Sequence, residues 1–145
     1  MEGWYYLHTN GELIFKRELD GNTAADISES PFARAMWPVD PSNRENAWTL
    51  LVEALAGEAN KEQVLALAEK WKCTNEDAKV YANRVGCNVQ MDGDSWCATR
   101  TDFEDLQASP AGFGDTILEA MAALCKQLGY KPSKMWGNHF VALLK

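Results

Sequence analysis

Hydrophobic and polar residues alternate at the start of the chain, on both sides of the pair Asn10-Gly11. An Asn-Gly pair between alternating segments is the strongest short signal for a hairpin with a two-residue loop, because both loop residues take positive φ. Such a loop sets Tyr6 opposite Phe15. We therefore expect an aromatic face against the core, formed by Trp4, Tyr6, His8, Leu13, Phe15 and Arg17, and an amphipathic face formed by Tyr5, Leu7, Thr9, Glu12, Ile14 and Lys16.

The residues after this hairpin carry loop and turn signals. Residues 19–29 contain Asp, Gly, Asn and Ser and predict a loop that includes at most one helical turn. Ser30-Pro31 is typical of a helix start, with Pro in the first helical position. The sequence predicts a short helix over Pro31–Trp37, which ends there because Pro38 disfavours helical backbone in the residue before it.

The centre of the chain has apolar residues at intervals of three and four, which is the helical period. Three helices are predicted, beginning at the capping residues Ser42, Asn60 and Thr74. Gly57 and Gly86 are typical of residues that end the first and the third. The expected inward-facing residues are Ala47, Trp48, Leu51, Val52 and Leu55 on the first helix, Val64, Leu65, Leu67, Ala68 and Trp71 on the second, and Ala78, Tyr81, Ala82 and Val85 on the third.

The last third of the chain returns to strand signals. Asn88–Met91 and Ser95–Arg100 lie on either side of Asp92-Gly93-Asp94, which is a second hairpin signal. A third strand is predicted over Phe103–Ala108, and the glycine-rich residues 112–114 predict a loop.

Two further helices are predicted near the end. Asp115-Thr116 with Glu119 forms a capping box for a helix that reaches Leu128. A short terminal helix is expected over Lys134–Leu144.

This order of elements predicts an α+β protein with an N-terminal β-hairpin, a central helical segment, and a C-terminal antiparallel meander followed by a helix. The length of 145 residues suits a single compact domain, residues 1–145. A candidate seam near residues 86–88 would separate a hairpin-and-helix part, 1–86, from an α+β part, 87–145.

Composition narrows the classes of function. A hydrophobic fraction of 46% with 24% charged residues is typical of a folded core. The net charge of −7 and the pI of about 4.8 argue against binding to nucleic acid or anionic lipid, since both require a basic surface. The sequence has no apolar run near the roughly 20 residues of a membrane helix and no signal-peptide pattern at its start. We therefore expect a cytoplasmic protein without membrane attachment.

The cysteines and histidines do not follow a metal-binding pattern. No two cysteines form a Cys-x-x-Cys pair, and His8 and His139 lie far from them in sequence, so we expect no metal site. In a reducing cytoplasm the thiols are expected to act as small buried hydrophobic groups. The four residues concerned are Cys73, Cys87, Cys97 and Cys125.

Signals of catalysis are weak. The sequence has no Gly-x-Ser-x-Gly, phosphate-binding loop, dinucleotide fingerprint or metal motif. His8 or His139 has the chemistry of a general base, but no nucleophile is identifiable beside either. Asp102 and Asp105 are expected to be solvated loop charges. We predict a non-enzymatic protein with no catalytic residues and no cofactor.

The helices expected over Val64–Val85 have the spacing of a helix-turn-helix. In that interpretation the DNA contacts would come from Lys72, Lys79, Asn83 and Arg84. Two observations favour a pair of packed helices instead: Lys72 stands where the turn usually has Gly, and the would-be recognition helix begins Asn75-Glu76-Asp77, whose carboxylates would meet phosphates.

The run from Gly112 to Ala120, together with the strands before it, resembles the HicB-like module. That module has an antiparallel meander, a glycine loop, and Gly-Asp-Thr-x-x-Glu-Ala at the start of a helix that packs on the sheet. The resemblance covers about residues 88–128 and implies this local fold. HicB-like proteins act as antitoxins that pair with a small toxin and often carry a separate DNA-binding segment. The matching positions are Gly114, Asp115, Thr116, Glu119 and Ala120.

Three further segments, Trp4–Ile14, Trp37–Pro41 and Gln107–Thr116, resemble small proteins of tailed phages and prophages. The resemblance implies an accessory protein made in a bacterial cytoplasm. Such a protein would act by binding and redirecting a host or defence component.

The sequence therefore predicts a protein-binding function for a surface around the hairpin and the segment after it. Exposed Trp, Tyr and Arg are common anchors of protein interfaces. Full burial of Trp4, Tyr6, Phe15 and Trp37 together would contradict this surface. The alternatives are a helix-turn-helix DNA-binding regulator and a small-molecule or nucleotide sponge, which would need a closed aromatic pocket; a homodimer is also open. The candidate interaction residues are Trp4, Tyr5, Lys16, Arg17, Phe32, Arg34 and Trp37.

Overall fold

The computed structural model describes residues 3–16, 31–39, 42–101 and 110–129. These residues form two three-stranded antiparallel sheets and four α-helices, so the predicted α+β class is confirmed. In the first sheet the order is β2-β1-β3, with β1 over Gly3–His8, β2 over Leu13–Lys16 and β3 over Ala33–Val39. Three helices follow: α1 over Arg44–Ala56, α2 over Lys61–Lys70 and α3 over Asn75–Arg84. In the second sheet the order is β4-β5-β6, with β4 over Cys87–Asp92, β5 over Ser95–Arg100 and β6 over Ala111–Gly114; α4 then spans Ile117–Gln127.

The predicted hairpin forms, but its register is one residue away from the prediction, with Tyr5 opposite Phe15. The loop has three residues, 9–11, rather than two. The Gly11 N–H donates to the His8 carbonyl oxygen at 2.9 Å, and Gly11 has a φ of 90°. A three-residue loop that ends in a left-handed residue is the next most common hairpin connection, and Asn-Gly fits it too.

The one-residue shift exchanges the two faces of β1 relative to those of β2, because neighbouring side chains point to opposite sides of a sheet. Tyr5, Leu7 and Leu13 pack on the core, and Leu7 is fully buried. Tyr6 and His8 are half-buried on the opposite side. The prediction that Tyr6 and His8 face the core is therefore wrong.

The segment predicted as a short helix over Pro31–Trp37 is instead the strand β3. It pairs antiparallel with β1, with Trp37 opposite Tyr5. This long-range pairing outweighs the local helix-start signal of a proline. Pro38 is tolerated because β3 is an edge strand of the described sheet, where a missing N–H costs no ladder bond.

Each central helix begins at a capping side chain, and two of the three caps are the predicted residues. Asn60 and Thr74 cap α2 and α3, whereas α1 is capped by Asn43 rather than Ser42. The α1 helix is buried on almost every side, which the predicted single stripe did not anticipate. Its buried residues are Ala47, Trp48, Thr49, Leu50, Leu51, Val52, Glu53, Ala54 and Ala56.

The second hairpin is confirmed, with a two-residue loop in which Gly93 has a φ of 65°. The prediction of a loop over 112–114 is wrong, because these residues belong to β6. Thr116 caps α4 as predicted, and its hydroxyl accepts a hydrogen bond from the Glu119 N–H at 3.2 Å. The expected loop 19–29, strand 103–108 and terminal helix 134–144 lie outside the described residues.

The two sheets and the helices share one hydrophobic core. Leu7 of the first sheet, Leu51 of α1, Ala98 of the second sheet and Leu124 of α4 all belong to one cluster of buried residues. That cluster contains residues from both sides of the candidate seam at 86–88. The first hairpin lies against the N-terminal end of α2, where the Asn60 N–H donates to the Gly11 carbonyl oxygen, and the candidate site lies there.

Candidate binding groove

The turn of the first hairpin is bonded to the first turn of α2. The Asn60 N–H donates to the Gly11 carbonyl oxygen at 2.7 Å. The Gln63 Oε1 accepts a hydrogen bond from the Leu13 N–H at 2.9 Å. Asn60 also caps α2, because its Oδ1 accepts from the N–H groups of Glu62 and Gln63. These bonds set the spacing between strand β2 and α2.

An apolar cavity of about 280 Å³ lies between the hairpin and α2. The Tyr5 ring on its wall is held from two sides, with its centroid 4.9 Å from that of Phe15 and 6.1 Å from that of Trp71. Phe15 is 38% exposed, so the aromatic wall continues to the surface. The lining residues are Tyr5, Leu13, Gln63, Ala66, Leu67 and Lys70.

A second, more polar cavity of about 550 Å³ adjoins the first one. Gln63 and Ala66 line both, so the two form one cleft, which we call the hairpin groove. The lining residues of the polar part are Asn10, Gly11, Glu12, Asn60, Glu62, Gln63 and Ala66.

The two ends of the hairpin groove carry opposite charge. Glu12 and Glu62 lie at the end near the hairpin turn, and Lys70 lies at the other end. Within the described part of the chain, none of these three side chains forms an ion pair. These side chains are therefore available to a ligand that carries a positive charge at the Glu12 end and a negative charge at the Lys70 end.

Strand β2 borders the groove with its outer edge. In the register of β1 and β2, the bonded positions of β2 are Glu12, Ile14 and Lys16, because the His8 N–H donates to the Glu12 carbonyl oxygen at 2.8 Å. The N–H and C=O groups of Leu13 and Phe15 consequently point outward. The Leu13 N–H donates to the Gln63 side chain, and no described residue bonds to the backbone of Phe15 on that edge.

The structure distributes the predicted interaction residues over several surfaces. Tyr5 lines the groove, whereas Trp4 and Arg34 are half-buried elsewhere and Lys16 is exposed. Phe32 is 61% exposed and stacks on the His8 ring at 5.8 Å.

Trp37 does not contribute to any surface, because it is only 3% exposed. Arg17 lies outside the described residues. The full burial that would have contradicted the predicted surface does not occur, since Trp4 and Tyr6 are half-buried and Phe15 is exposed.

Sequence reasoning missed most of the groove, and Gln63 explains why. Its place three residues after Asn60 identified it as part of a helix start. Its actual partner, Leu13, lies 50 positions away, and no local signal points to that contact.

A buried polar cluster near α1 was also missed. Glu53 is fully buried, and its Oε2 accepts a hydrogen bond from the Trp37 Nε1 at 2.7 Å. One turn earlier on α1, the Thr49 hydroxyl bonds to the Tyr81 hydroxyl at 2.9 Å. Burial, with a smaller effect from Glu53, raises the pKa of Tyr81 well above its usual value. All these groups lie inside the core, so their role is to position α1, α3 and β3.

The candidate DNA-contact residues lie at the turn between α2 and α3 and along α3, and two of their charges are partly compensated. Lys72 has a φ of 54°, so the turn does need the left-handed conformation that Gly usually provides. The Lys79 Nζ lies 3.9 Å from a Glu76 carboxylate oxygen. The Arg84 guanidinium lies 3.3 Å from Glu45.

Lys79 and Asp77 of α3 make further contacts. Lys79 lies 5.5 Å from the centroid of Trp96, within cation–π range. Asp77 is held at 3.1 Å by Arg44, which also donates to the carbonyl oxygens of Trp71 and Lys72. Asn83 is exposed on the same helix.

The cysteines differ in exposure, and Cys73 is the one that is half-buried. Burial raises the pKa of the Cys73 thiol, although the guanidinium of Arg44, which donates to its Sγ at 3.4 Å, acts in the opposite direction. Burial raises the pKa of Cys87 to about 12 and that of Cys125 further still.

We expect Cys73 to be the first thiol to react with a disulfide reagent in the native protein. The reactive species is the thiolate, so the rate should keep rising as the pH passes the ordinary thiol pKa of 9.0. Stopped-flow absorbance of the released thiol measures this, with Cys73→Ser as the control. An equally fast first phase in Cys73→Ser would contradict the assignment.

Among the described residues, no three His, Cys, Asp or Glu side chains come together as a metal-binding group. None of the described helices has the length and apolarity to cross a membrane. No known protein family, characterised protein or solved structure matches this chain. The HicB-like and phage-type resemblances therefore stay predictions, although the strands expected at 88–91 and 95–100 and the helix expected between the Asp115-Thr116 cap and Leu128 are present.

Proposed function

We propose that this protein is a non-enzymatic binding protein that holds a segment of another protein in the hairpin groove. The observation that carries the proposal is the combination, in one cleft, of an apolar cavity, an outward strand edge and charges that form no ion pair with a described residue. An apolar centre with polar surroundings is the usual anatomy of a protein interface.

The aromatic residues around the apolar cavity support a protein ligand. Tyr5 presents a rigid ring surface in the same cavity as Leu67 and contacts the ring of Phe15, and such rings supply much of the binding energy at interfaces. The partner class suggested by the phage-type resemblance, a host or defence protein of a bacterial cytoplasm, remains part of this proposal.

The DNA-binding alternative has less support from the surface of α3. Lys79 and Arg84 each have a carboxylate within ion-pair distance, and Glu76 and Asp77 occupy the first turn of the helix. Carboxylates at that end oppose the phosphate contacts from which DNA-binding proteins take most of their affinity.

We expect Ala66→Gln to abolish partner capture, because a long polar side chain at this exposed helical position fills the middle of the groove without disturbing the core. The measurement is quantitative mass spectrometry of proteins that the tagged chain retains from a nuclease-treated bacterial lysate. A loss of at least about tenfold is expected, equal to roughly 1.4 kcal/mol of binding free energy.

The control is Glu69→Gln, which lies on an exposed part of the same helix outside the groove lining. A partner retained equally by wild type, Ala66→Gln and Glu69→Gln would contradict binding in the groove. Capture by all three proteins from an untreated lysate that is absent from the nuclease-treated lysate would instead favour the nucleic-acid alternative.

A further inference from the structure

On the outer edge of β2, the Gln63 side chain makes the hydrogen bond to Leu13 that a neighbouring strand would otherwise make. The Gln63 side-chain amide offers its carbonyl oxygen to the Leu13 N–H at 2.9 Å, the distance of a normal ladder bond. Two residues further along the same edge, the backbone of Phe15 has no bond to any described residue. The outer edge of β2 therefore presents backbone groups to which a further strand can bond.

The Gln63 side chain can leave this position at small cost. Gln63 lies in the first turn of α2 and its side chain is exposed, so it exchanges the Leu13 N–H for water when it turns outward. An incoming backbone carbonyl then restores the bond to Leu13. Addition of an extended segment to an exposed sheet edge is an established mode of peptide recognition.

The length of the groove along α2 matches that of a short extended segment. From Glu62 to Lys70 the α2 axis rises about 12 Å, at roughly 1.5 Å per residue. A strand covers about the same length in four residue steps of roughly 3.3 Å. Residues at positions one, three and five of such a strand lie on the same face, so all three side chains point into the groove.

The lining then determines the chemistry of those three positions. The apolar cavity beside Tyr5, Leu13 and Leu67 accepts an aliphatic side chain in the middle. Glu12 and Glu62 attract a cation at the turn end, and Lys70 attracts an anion at the opposite end. A segment antiparallel to β2, like the other strand pairs of the sheet, has its C-terminal end beside Glu12.

We propose, as an extension of the proposed function, that the occupant of the hairpin groove is an extended segment of a partner protein. It adds to β2 as an antiparallel fourth strand and displaces Gln63 from Leu13. From its N-terminus to its C-terminus, its groove-facing side chains are acidic, aliphatic and basic.

The probe is a fluorescein-labelled peptide, Thr-Glu-Thr-Val-Thr-Lys-Thr, whose binding is followed by fluorescence anisotropy. The valine faces the groove, so its N–H faces β2, whereas the N–H of the threonine after it points away. Methylation of the valine nitrogen is expected to weaken binding at least about tenfold, and methylation of the threonine nitrogen less than about threefold. The reversed peptide, Thr-Lys-Thr-Val-Thr-Glu-Thr, is expected to bind at least about fivefold more weakly.

Amide hydrogen exchange of the Phe15 N–H supplies an independent readout, since strand addition protects it. The proposal is overturned if the peptide does not bind, or if both methylated peptides bind like the parent. It is also overturned if, without peptide, sedimentation reveals a dimer and hydrogen exchange shows that the Phe15 N–H is already protected in it. Each of these results leaves the groove-dependent partner capture by wild type over Ala66→Gln unaffected, so it is distinguishable from failure of the proposed function.

Discussion

Gly112→Ala is expected to destabilise the protein by about 3 kcal/mol or more, and in cells to prevent its accumulation. Gly112 lies in β6 directly beneath α4. A Cβ at this position would lie far inside van der Waals contact with the Ala120 carbonyl oxygen and the Leu124 nitrogen, and 2.9 Å from the carbonyl carbon of Ala123. These are backbone atoms of a helix, so relief requires moving α4 away from the sheet. The movement would open the packing of Met121 and Leu124, which are fully buried.

Urea denaturation followed by tryptophan fluorescence measures this loss, with Gly129→Ala as the matched control. Gly129 has a φ of 85°, but a Cβ added there would have no described atom within 4 Å, so its substitution costs only about 1 kcal/mol of backbone strain. A Gly112→Ala protein as stable as Gly129→Ala would mean that α4 does not approach the sheet this closely.

Glu53→Ala is expected to cost about 3 kcal/mol of stability or more, although Ala is the better helix former. The substitution removes a fully buried side chain from the middle of α1 and leaves the Trp37 Nε1 without its acceptor at 2.7 Å. Both the cavity and the buried unsatisfied donor destabilise the fold. Glu53→Gln keeps an acceptor oxygen and the side-chain volume, and we expect it to lose about 1 to 2 kcal/mol.

The comparison for this prediction is Glu45→Ala, on the same helix. Glu45 pairs with Arg84 at 3.3 Å on the surface, where an ion pair contributes about 1 kcal/mol or less. Equilibrium denaturation of the three variants should therefore rank Glu53→Ala as the least stable. If Glu53→Ala were as stable as Glu45→Ala, the Glu53 carboxylate would not be the group that joins β3 to α1.

Local signals in the sequence were sufficient for most of the helices and for the existence of both hairpins. Asn60, Thr74 and Thr116 cap the helices that they were predicted to cap. A cap is formed within three residues of its own position, so no distant part of the chain has to be known. The same reasoning explains why the second hairpin was predicted in its correct place around Gly93.

Tertiary contacts decided the features that local signals left ambiguous. Asn10-Gly11 fits both a two-residue and a three-residue loop, and the choice between them moves Tyr5 to the core face and Tyr6 away from it. Pairing with β1 likewise made Ala33–Val39 a strand. The wide burial of α1 placed Glu53 inside the core, where contact with Trp37 makes a carboxylate tolerable.

The hairpin groove is a feature that tertiary contacts alone decided. Sequence patterns predicted the strand β2 and the helix α2 separately, and among the described candidate interaction residues only Tyr5 lines the groove. That Gln63 meets Leu13, and that Glu62 and Lys70 lie at opposite ends of one cleft, depends on how α2 docks against the hairpin. The sequence by itself determined the class of fold and the ends of most described helices, because those follow from interactions between near neighbours. The tertiary structure decided the register, the buried acid and the groove, because each depends on the packing of residues far apart in the chain.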